Sequence, residues 1–113
     1  MSGINVKQGD LRPPLVLTCL DGTTGVDLTA ATEVRVRIAA STSAEPIVDA
    51  ACVVDDQLDS PGQVHYDWQA GDTDTAGTYL VEVEVMWPGG PQTFPAKGYG
   101  KLVIGDDLAE ATV

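Results

Sequence analysis

Hydrophobic and polar residues alternate one by one along most of the chain, which is the pattern of β-strands with one buried face. Residues 32–38 (TEVRVRI) are the clearest case, because every second residue is valine or isoleucine and the residues between them are polar. The longest alternating run is residues 77–87 (GTYLVEVEVMW), which we predict to be the central strand. Further strands are predicted at residues 15–20, 47–54, 64–68, 92–94 and 98–104. A period of 3.6 residues is almost absent, so the chain is predicted to be all-β.

Turn-forming residues separate these runs at short intervals. An Asp21-Gly22 pair is typical of a hairpin, residues 88–91 (PGGP) form a turn, and Pro95 interrupts the last strand because proline cannot donate to a sheet. About seven short strands with turns every 8 to 12 residues predict an antiparallel two-sheet β-sandwich of immunoglobulin-like type, with a small barrel as the alternative. If the last strand pairs on one side only, subunits are expected to associate by strand addition.

Residues 74–79 (DTAGTY) resemble the tyrosine corner of immunoglobulin domains, in which a tyrosine enters the sixth strand after an acidic turn. Disulfide-bonded immunoglobulin domains have a cysteine two residues after that tyrosine, where this chain has Val81. Cys19 therefore lacks the usual cross-sheet partner. Cys19 and Cys52 are predicted to be two buried free thiols, with a single bridge as the alternative.

The length of 113 residues predicts a single domain over residues 1–113. Residues 1–11 are expected to form an N-terminal arm and first strand, and residues 106–113 a short acidic tail compatible with one helical turn. No leader pattern or long apolar run stands out, which predicts a soluble, unprocessed chain.

Seventeen acidic and six basic side chains give a net charge of -11. Such a charge disfavours binding to nucleic-acid phosphates and to anionic lipid surfaces. We therefore expect neither nucleic acid nor membrane as a partner.

The sequence offers little catalytic chemistry. The single histidine, His65, alternates with Val64 and Tyr66 and is expected to be a solvent-facing strand residue. Residues 72–83 match only part of a calcium loop, because its fifth and twelfth positions carry no carboxylate, and the acidic pairs at 55–56 and 106–107 are interpreted as solvated turns. We predict no catalytic residue, no cofactor site and no metal site, and hence no enzyme.

Short segments spread over residues 4–105 carry a family resemblance. They are residues 6–10 (VKQGD), 12–15 (RPPL), 26–32 (VDLTAAT), 62–68 (GQVHYDW), 71–79 (GDTDTAGTY) and 93–95 (TFP). In order and spacing they resemble the N-terminal immunoglobulin-like module of bacteriophage baseplate upper proteins, as found in small proteins of phages that infect actinobacteria.

The resemblance implies a noncatalytic virion structural protein, associated with the tail or baseplate and assembled in the host cytoplasm. A head decoration or minor capsid protein is the alternative. Its implied partners are other virion proteins, with a homo-oligomer also considered. The candidate contact residues are Ile4, Val6, Leu11, Leu80 and Met86.

A more remote alternative is a β-sandwich that binds a carbohydrate or another ligand. In that case Trp87, Phe94 and Tyr99 would line an exposed aromatic platform. The alternation of residues 77–87 places Trp87 on the core face, which favours packing instead.

Overall fold

The computed structural model describes residues 4–106, and in this range the chain forms eleven β-strands and no helix. The strands are β1 (Ile4–Lys7), β2 (Leu15–Thr18), β3 (Leu20–Asp21), β4 (Thr24–Gly25), β5 (Glu33–Ala39), β6 (Val48–Ala51), β7 (Val53–Val54), β8 (Gln63–Tyr66), β9 (Gly77–Trp87), β10 (Gly90–Phe94) and β11 (Gly100–Gly105). Within these residues no helix is long and apolar enough to cross a membrane. Apart from Asp106, the segment predicted to be an acidic tail lies outside the described range.

The larger sheet has the order β1-β11-β9-β5-β6, and β10 also pairs with β9. Strand β9 is central as predicted, since β5 lies along one side and β10 and β11 follow each other along the other. The predicted interruption at Pro95 is confirmed: β10 ends at Phe94 and β11 begins at Gly100. Strand β11 pairs with β9 and also, in parallel, with β1. The condition for strand addition at β11 is therefore not met.

The smaller sheet has the order β2-β8-β7 and packs over the larger one, while β3 and β4 form a separate hairpin. Alternate residues of β2, β5, β8, β9 and β11 fill the space between the sheets. The buried hydrophobic side chains of the core are Leu15, Cys19, Leu28, Val34, Val36, Ile38, Val48, Val64, Tyr66, Trp68, Tyr79, Val81, Val83, Val85, Phe94, Leu102 and Ile104. The two-sheet β-sandwich predicted from the sequence is confirmed.

The strands outnumber the about seven predicted because two predicted strands are each divided at a cysteine, because β1 in the N-terminal segment adds one, and because β4 was not predicted. The pairing of β2 with β8 ends just before Cys19, whose amide donates to the carbonyl of Gly62 at 2.8 Å. At Cys52 the chain passes from the larger to the smaller sheet, and the Cys52 amide donates to Val34. Residues 50–54 (AACVV) are all apolar, and residues 15–20 (LVLTCL) carry apolar side chains on both faces, so the sequence pattern marks neither division.

The tyrosine corner predicted at residues 74–79 is present. Tyr79 is buried, and its hydroxyl donates to the backbone carbonyl of Thr75 at 2.6 Å. This bond fixes the turn that leads into β9, as in immunoglobulin-like sandwiches.

Candidate binding surface

The segment between β7 and β8, residues 55–62, forms a tightly hydrogen-bonded turn, here called the display turn. Gln57 points its side chain into the turn. Its Oε1 accepts from the amides of Leu28 (2.9 Å) and Gly62 (2.8 Å), and its Nε2 donates to the carbonyls of Asp55 (2.9 Å) and Gln63 (3.2 Å). One side chain thus satisfies four backbone groups and fixes the shape of the turn.

The next residue, Leu58, is pushed outward and is 93% exposed. Its amide donates to Oδ1 of Asp56 at 2.9 Å, and the Ser60 amide donates to the carbonyl of Asp56 at 2.8 Å. A large apolar side chain is therefore held in water by a rigid backbone and is bordered by the exposed carboxylates of Asp56 and Asp59.

Gly62 closes the display turn in a conformation that requires glycine. Its φ is +82°, and a Cβ there would collide with the carbonyl of Cys19. The close approach allows the carbonyl of Gly62 to accept the hydrogen bond from Cys19, so the turn is attached to the chain leaving β2.

The outer face of the smaller sheet carries a row of three residues beside the display turn. Val16 of β2 and Val53 of β7 both pair with His65 of β8, and the two valines are 48% and 52% exposed. We call these three residues the valine row. Exposed apolar side chains thus occur both on this sheet face and in the display turn that follows β7.

His65 and Asp55 connect the valine row to the display turn. Nδ1 of His65 lies 2.6 Å from Oδ1 of Asp55, and Nε2 of Gln63 donates to Oδ2 of Asp55 at 2.9 Å. Burial opposes ionisation of Asp55, but the hydrogen bonds from Gln63 and His65 outweigh it, so the pKa of Asp55 lies below its usual value.

The histidine and aspartate do not form a catalytic triad with any described residue. On the other side of the ring, Nε2 of His65 faces a carboxylate oxygen of Asp67 at 3.8 Å, and no hydroxyl or thiol of residues 4–106 is hydrogen-bonded to it. A nucleophile next to the base is what such chemistry requires. Within residues 4–106, no group of three or more His, Cys, Asp or Glu side chains is arranged to hold a metal ion.

The partial calcium loop at residues 72–83 has a structural use. Oδ2 of Asp72 accepts from the Tyr66 hydroxyl at 2.5 Å and from the amide of Gln69 at 2.8 Å. The burial of Tyr66 and these bonds to Asp72 raise the pKa of the tyrosine well above its usual range. Asp72 therefore connects the turn after β8 to the core.

The contact residues predicted from the sequence lie away from the display turn. Ile4 and Val6 are partly buried against the core, and Leu11 is 45% exposed in the segment after β1. Leu80 and Met86 lie half-buried on the outer face of the larger sheet, where alternation had placed them. Their role as partner contacts stays a prediction.

The aromatic platform, which was the more remote alternative, does not form, and the packing favoured for Trp87 is confirmed. Phe94 is buried in the core, and Trp87 donates through Nε1 to Oε1 of Gln92 at 2.9 Å while packing against the core. Only Tyr99 of the three is exposed, at 47%.

Both cysteines are free, Cys19 buried and Cys52 partly buried, which agrees with the favoured of the two predictions. Burial raises the pKa of the Cys19 thiol to about 11. Burial, and then the nearby Cys19, raise that of Cys52 to about 12.

No protein-family model matches the chain, and no curated protein matches it either. Among solved structures, the chain is similar to CopC from Methylosinus trichosporium OB3b. The match has a TM-score of 0.57 and 15% sequence identity, and it covers 98% of this chain and 91% of that one. At this identity the likeness establishes the sandwich fold.

The CopC match overturns the expectation of a virion structural protein, whether on the tail or the head, because nearly the whole chain superposes on a protein of another kind. The short motifs behind that expectation lie largely at turns and strand ends. One of them, residues 71–79, contains the tyrosine corner, and another, residues 62–68, begins at the Gly62 that closes the display turn. The sandwich fold itself demands such residues, so they do not identify a function.

Sequence reasoning missed the display turn as a site. It identified residues 55–62 only as an acidic turn, because neither Gln57 nor Leu58 belongs to a recognisable motif. The available signal was an isolated leucine between acidic residues in a turn, where apolar side chains are unusual.

Proposed function

We propose that the protein is a noncatalytic binding module that docks onto a partner protein through the display turn and the valine row. The observation that carries the proposal is Leu58, which is 93% exposed on a backbone fixed by the four hydrogen bonds of Gln57. A rigidly held apolar side chain loses little conformational entropy on binding, which favours its use as an anchor.

The charges around Leu58 define the chemistry of the partner. Asp56 and Asp59 border the leucine, and Asp55 and Asp67 flank His65 on the sheet face. The complementary surface is an apolar pocket ringed by lysine and arginine. A second copy of the chain does not fit this description, because two molecules of charge -11 repel each other.

The absence of a nucleophile hydrogen-bonded to His65 among the described residues supports a noncatalytic role. The exposed apolar area of the display turn and valine row is small, so the expected interface is of the transient class. Leu58 is then the dominant contact, and the valines complete the contact around it.

The proposal is tested by selecting binders from a random peptide library on the immobilised protein. Selected peptides are expected to combine an apolar residue with flanking lysine or arginine, and Leu58→Ser is expected to weaken their binding about tenfold or more. Leu11→Ser is the matched control, because Leu11 is an exposed leucine far from the turn in sequence, and it should change the affinity less than about twofold. Failure to select any binder, or binders that tolerate Leu58→Ser, would contradict the proposal.

A further inference from the structure

A second candidate site lies at the β1 edge of the larger sheet. Here residues 8–14 connect β1 to the smaller sheet. This connecting segment, which overlaps the predicted N-terminal arm only in part, is called the arm from here on. A cleft of about 340 Å³ opens between the arm and the strands β1 and β11. We call it the arm cleft. Its lining includes Asn5, Lys7, Asp10, Arg12, Pro13 and Val103.

The arm cleft concentrates positive charge in an acidic protein. Two of the six basic residues, Lys7 and Arg12, line it, and within residues 4–106 neither forms an ion pair. By contrast, Arg35 and Arg37 on the larger sheet are paired with carboxylates of Asp49 and Glu84 at 3.0 and 3.2 Å. The cations of the cleft are therefore available to a ligand, whereas Arg35 and Arg37 are already paired.

Hydrogen bonds hold the start of the arm in place. The amides of Gln8 and Gly9 donate to the carbonyls of Gly105 (2.8 Å) and Thr73 (3.0 Å). The hydroxyl of Thr73, which is fully buried, donates to the carbonyl of Asp10 at 3.0 Å. The cleft is thus formed before any ligand arrives, which lowers the entropic cost of binding.

We propose that the arm cleft binds a small organic monocarboxylate with a short apolar body. The planar guanidinium of Arg12 suits a carboxylate through paired hydrogen bonds, and the Lys7 ammonium adds a second charge. Among residues 4–106, Asp10 is the only carboxylate of the lining, so its charge and those of the two cations sum to a single formal positive charge, which matches a monoanion better than a dianionic phosphate.

The rest of the lining accommodates the body of the ligand. Val103 and Pro13 supply apolar surface, and Asn5, which pairs with Val103 across the β1–β11 ladder, supplies an amide. A volume of 340 Å³ is in the range of small-molecule pockets. The inference uses other residues than the display turn and stands or falls independently of it.

The test is a nuclear magnetic resonance titration of the ¹⁵N-labelled protein with sodium benzoate at constant ionic strength. Saturable shifts are expected at the amides of Asn5, Lys7 and Gly105, with a dissociation constant of about 1 mM. Benzamide, the neutral analogue of the same shape, should bind about tenfold more weakly or worse, and inorganic phosphate should bind more weakly than benzoate.

Two variants and one control locate the charge requirement. Arg12→Gln and Lys7→Gln should each weaken benzoate binding several-fold to about tenfold. Lys97→Gln removes a cation between β10 and β11, outside the cleft, and should leave the affinity unchanged. The spectra themselves report whether each variant is folded.

The proposal is overturned if benzoate causes no saturable shift, or if benzamide or phosphate binds as tightly. It is also overturned if Lys97→Gln weakens binding as much as the cleft variants do, because the effect would then be one of overall charge.

Discussion

At the scale of single residues, Gln57 determines the shape of the display turn. Its amide group replaces four hydrogen bonds that water would otherwise supply to the backbone of residues 28, 55, 62 and 63. A polar side chain turned inward thereby leaves its apolar neighbour, Leu58, exposed. The usual distribution of polar and apolar residues is inverted at this one position.

Gln57→Ala should lower the free energy of unfolding by about 2 kcal/mol, because the amides of Leu28 and Gly62 and the carbonyl of Asp55 lose their partner. Urea unfolding followed by circular dichroism measures the change. Gln69→Ala is the control, since Nε2 of Gln69 makes a single exposed bond to Asp67, and it should cost less than about 0.5 kcal/mol. Equal effects of the two substitutions would refute the role assigned to Gln57.

Asp55 should make stability depend on pH in the acid range. Its pKa in the folded state lies below the ordinary value of 3.8, so the carboxylate stabilises the fold at pH values above 3.8. This contribution is lost as the pH falls through the folded pKa. The difference in unfolding free energy between the parent protein and Asp55→Asn should therefore shrink as the pH falls below 3.8. A difference that grows on acidification would contradict the direction of the shift.

The two thiols should react slowly while the protein is folded. A pKa of about 11 for Cys19, against an ordinary 9.0, reduces its thiolate at pH 8 about hundredfold, and Cys52 is shifted further. The rate of reaction with Ellman's reagent in buffer and in unfolding concentrations of urea measures this. Two thiols that react as fast in buffer as in urea would show that burial does not protect them.

At the scale of elements, Thr73 attaches the arm to the turn after β8. It is the one buried polar side chain among the described core residues, and its bond to Asp10 joins segments 63 positions apart. The arm cleft depends on this attachment, because Asp10 and Arg12 both lie in the arm.

Thr73→Val keeps the shape of the side chain but removes the donor, so the carbonyl of Asp10 loses its partner. We expect a loss of about 1 kcal/mol in unfolding free energy and faster hydrogen exchange at the amides of Gln8 and Gly9. Thr75→Val, at an exposed position in the same turn, should leave both quantities unchanged. Unaltered exchange in Thr73→Val would mean that the arm is held by other contacts.

Strands in which apolar and polar residues strictly alternate were predicted from the sequence. Turns and connections whose shape depends on the hydrogen bonds of one side chain were not. Strand β9 has the predicted bounds, and the tyrosine corner forms at Tyr79. The divisions at Cys19 and Cys52 were not predicted, because apolar residues lie on both faces of these two runs and no turn-forming residue stands at either point. The display turn depends on the hydrogen bonds of one glutamine side chain, and the arm cleft depends on the bond of Thr73 to a distant segment. Neither kind of contact is encoded in a pattern of alternating residues.

At the scale of the whole molecule, two surfaces of opposite character lie on one acidic sandwich. The display turn presents Leu58 among carboxylates, and the arm cleft gathers Lys7 and Arg12. With a net charge of -11, the protein is attracted to basic surfaces over distances of about a Debye length. Association through the display turn is therefore expected to weaken as salt is added.

The most direct test of a protein-binding role replaces Leu58 by a photoreactive benzophenone amino acid and irradiates the protein in the cells that naturally contain it. Position 58 should give one discrete adduct, whose cross-linked segment has an apolar site bordered by lysine or arginine. The same probe at Leu11, also an exposed leucine, should not give that adduct. Identical adducts from both positions, none from position 58, or a cross-linked segment without basic residues would contradict the account.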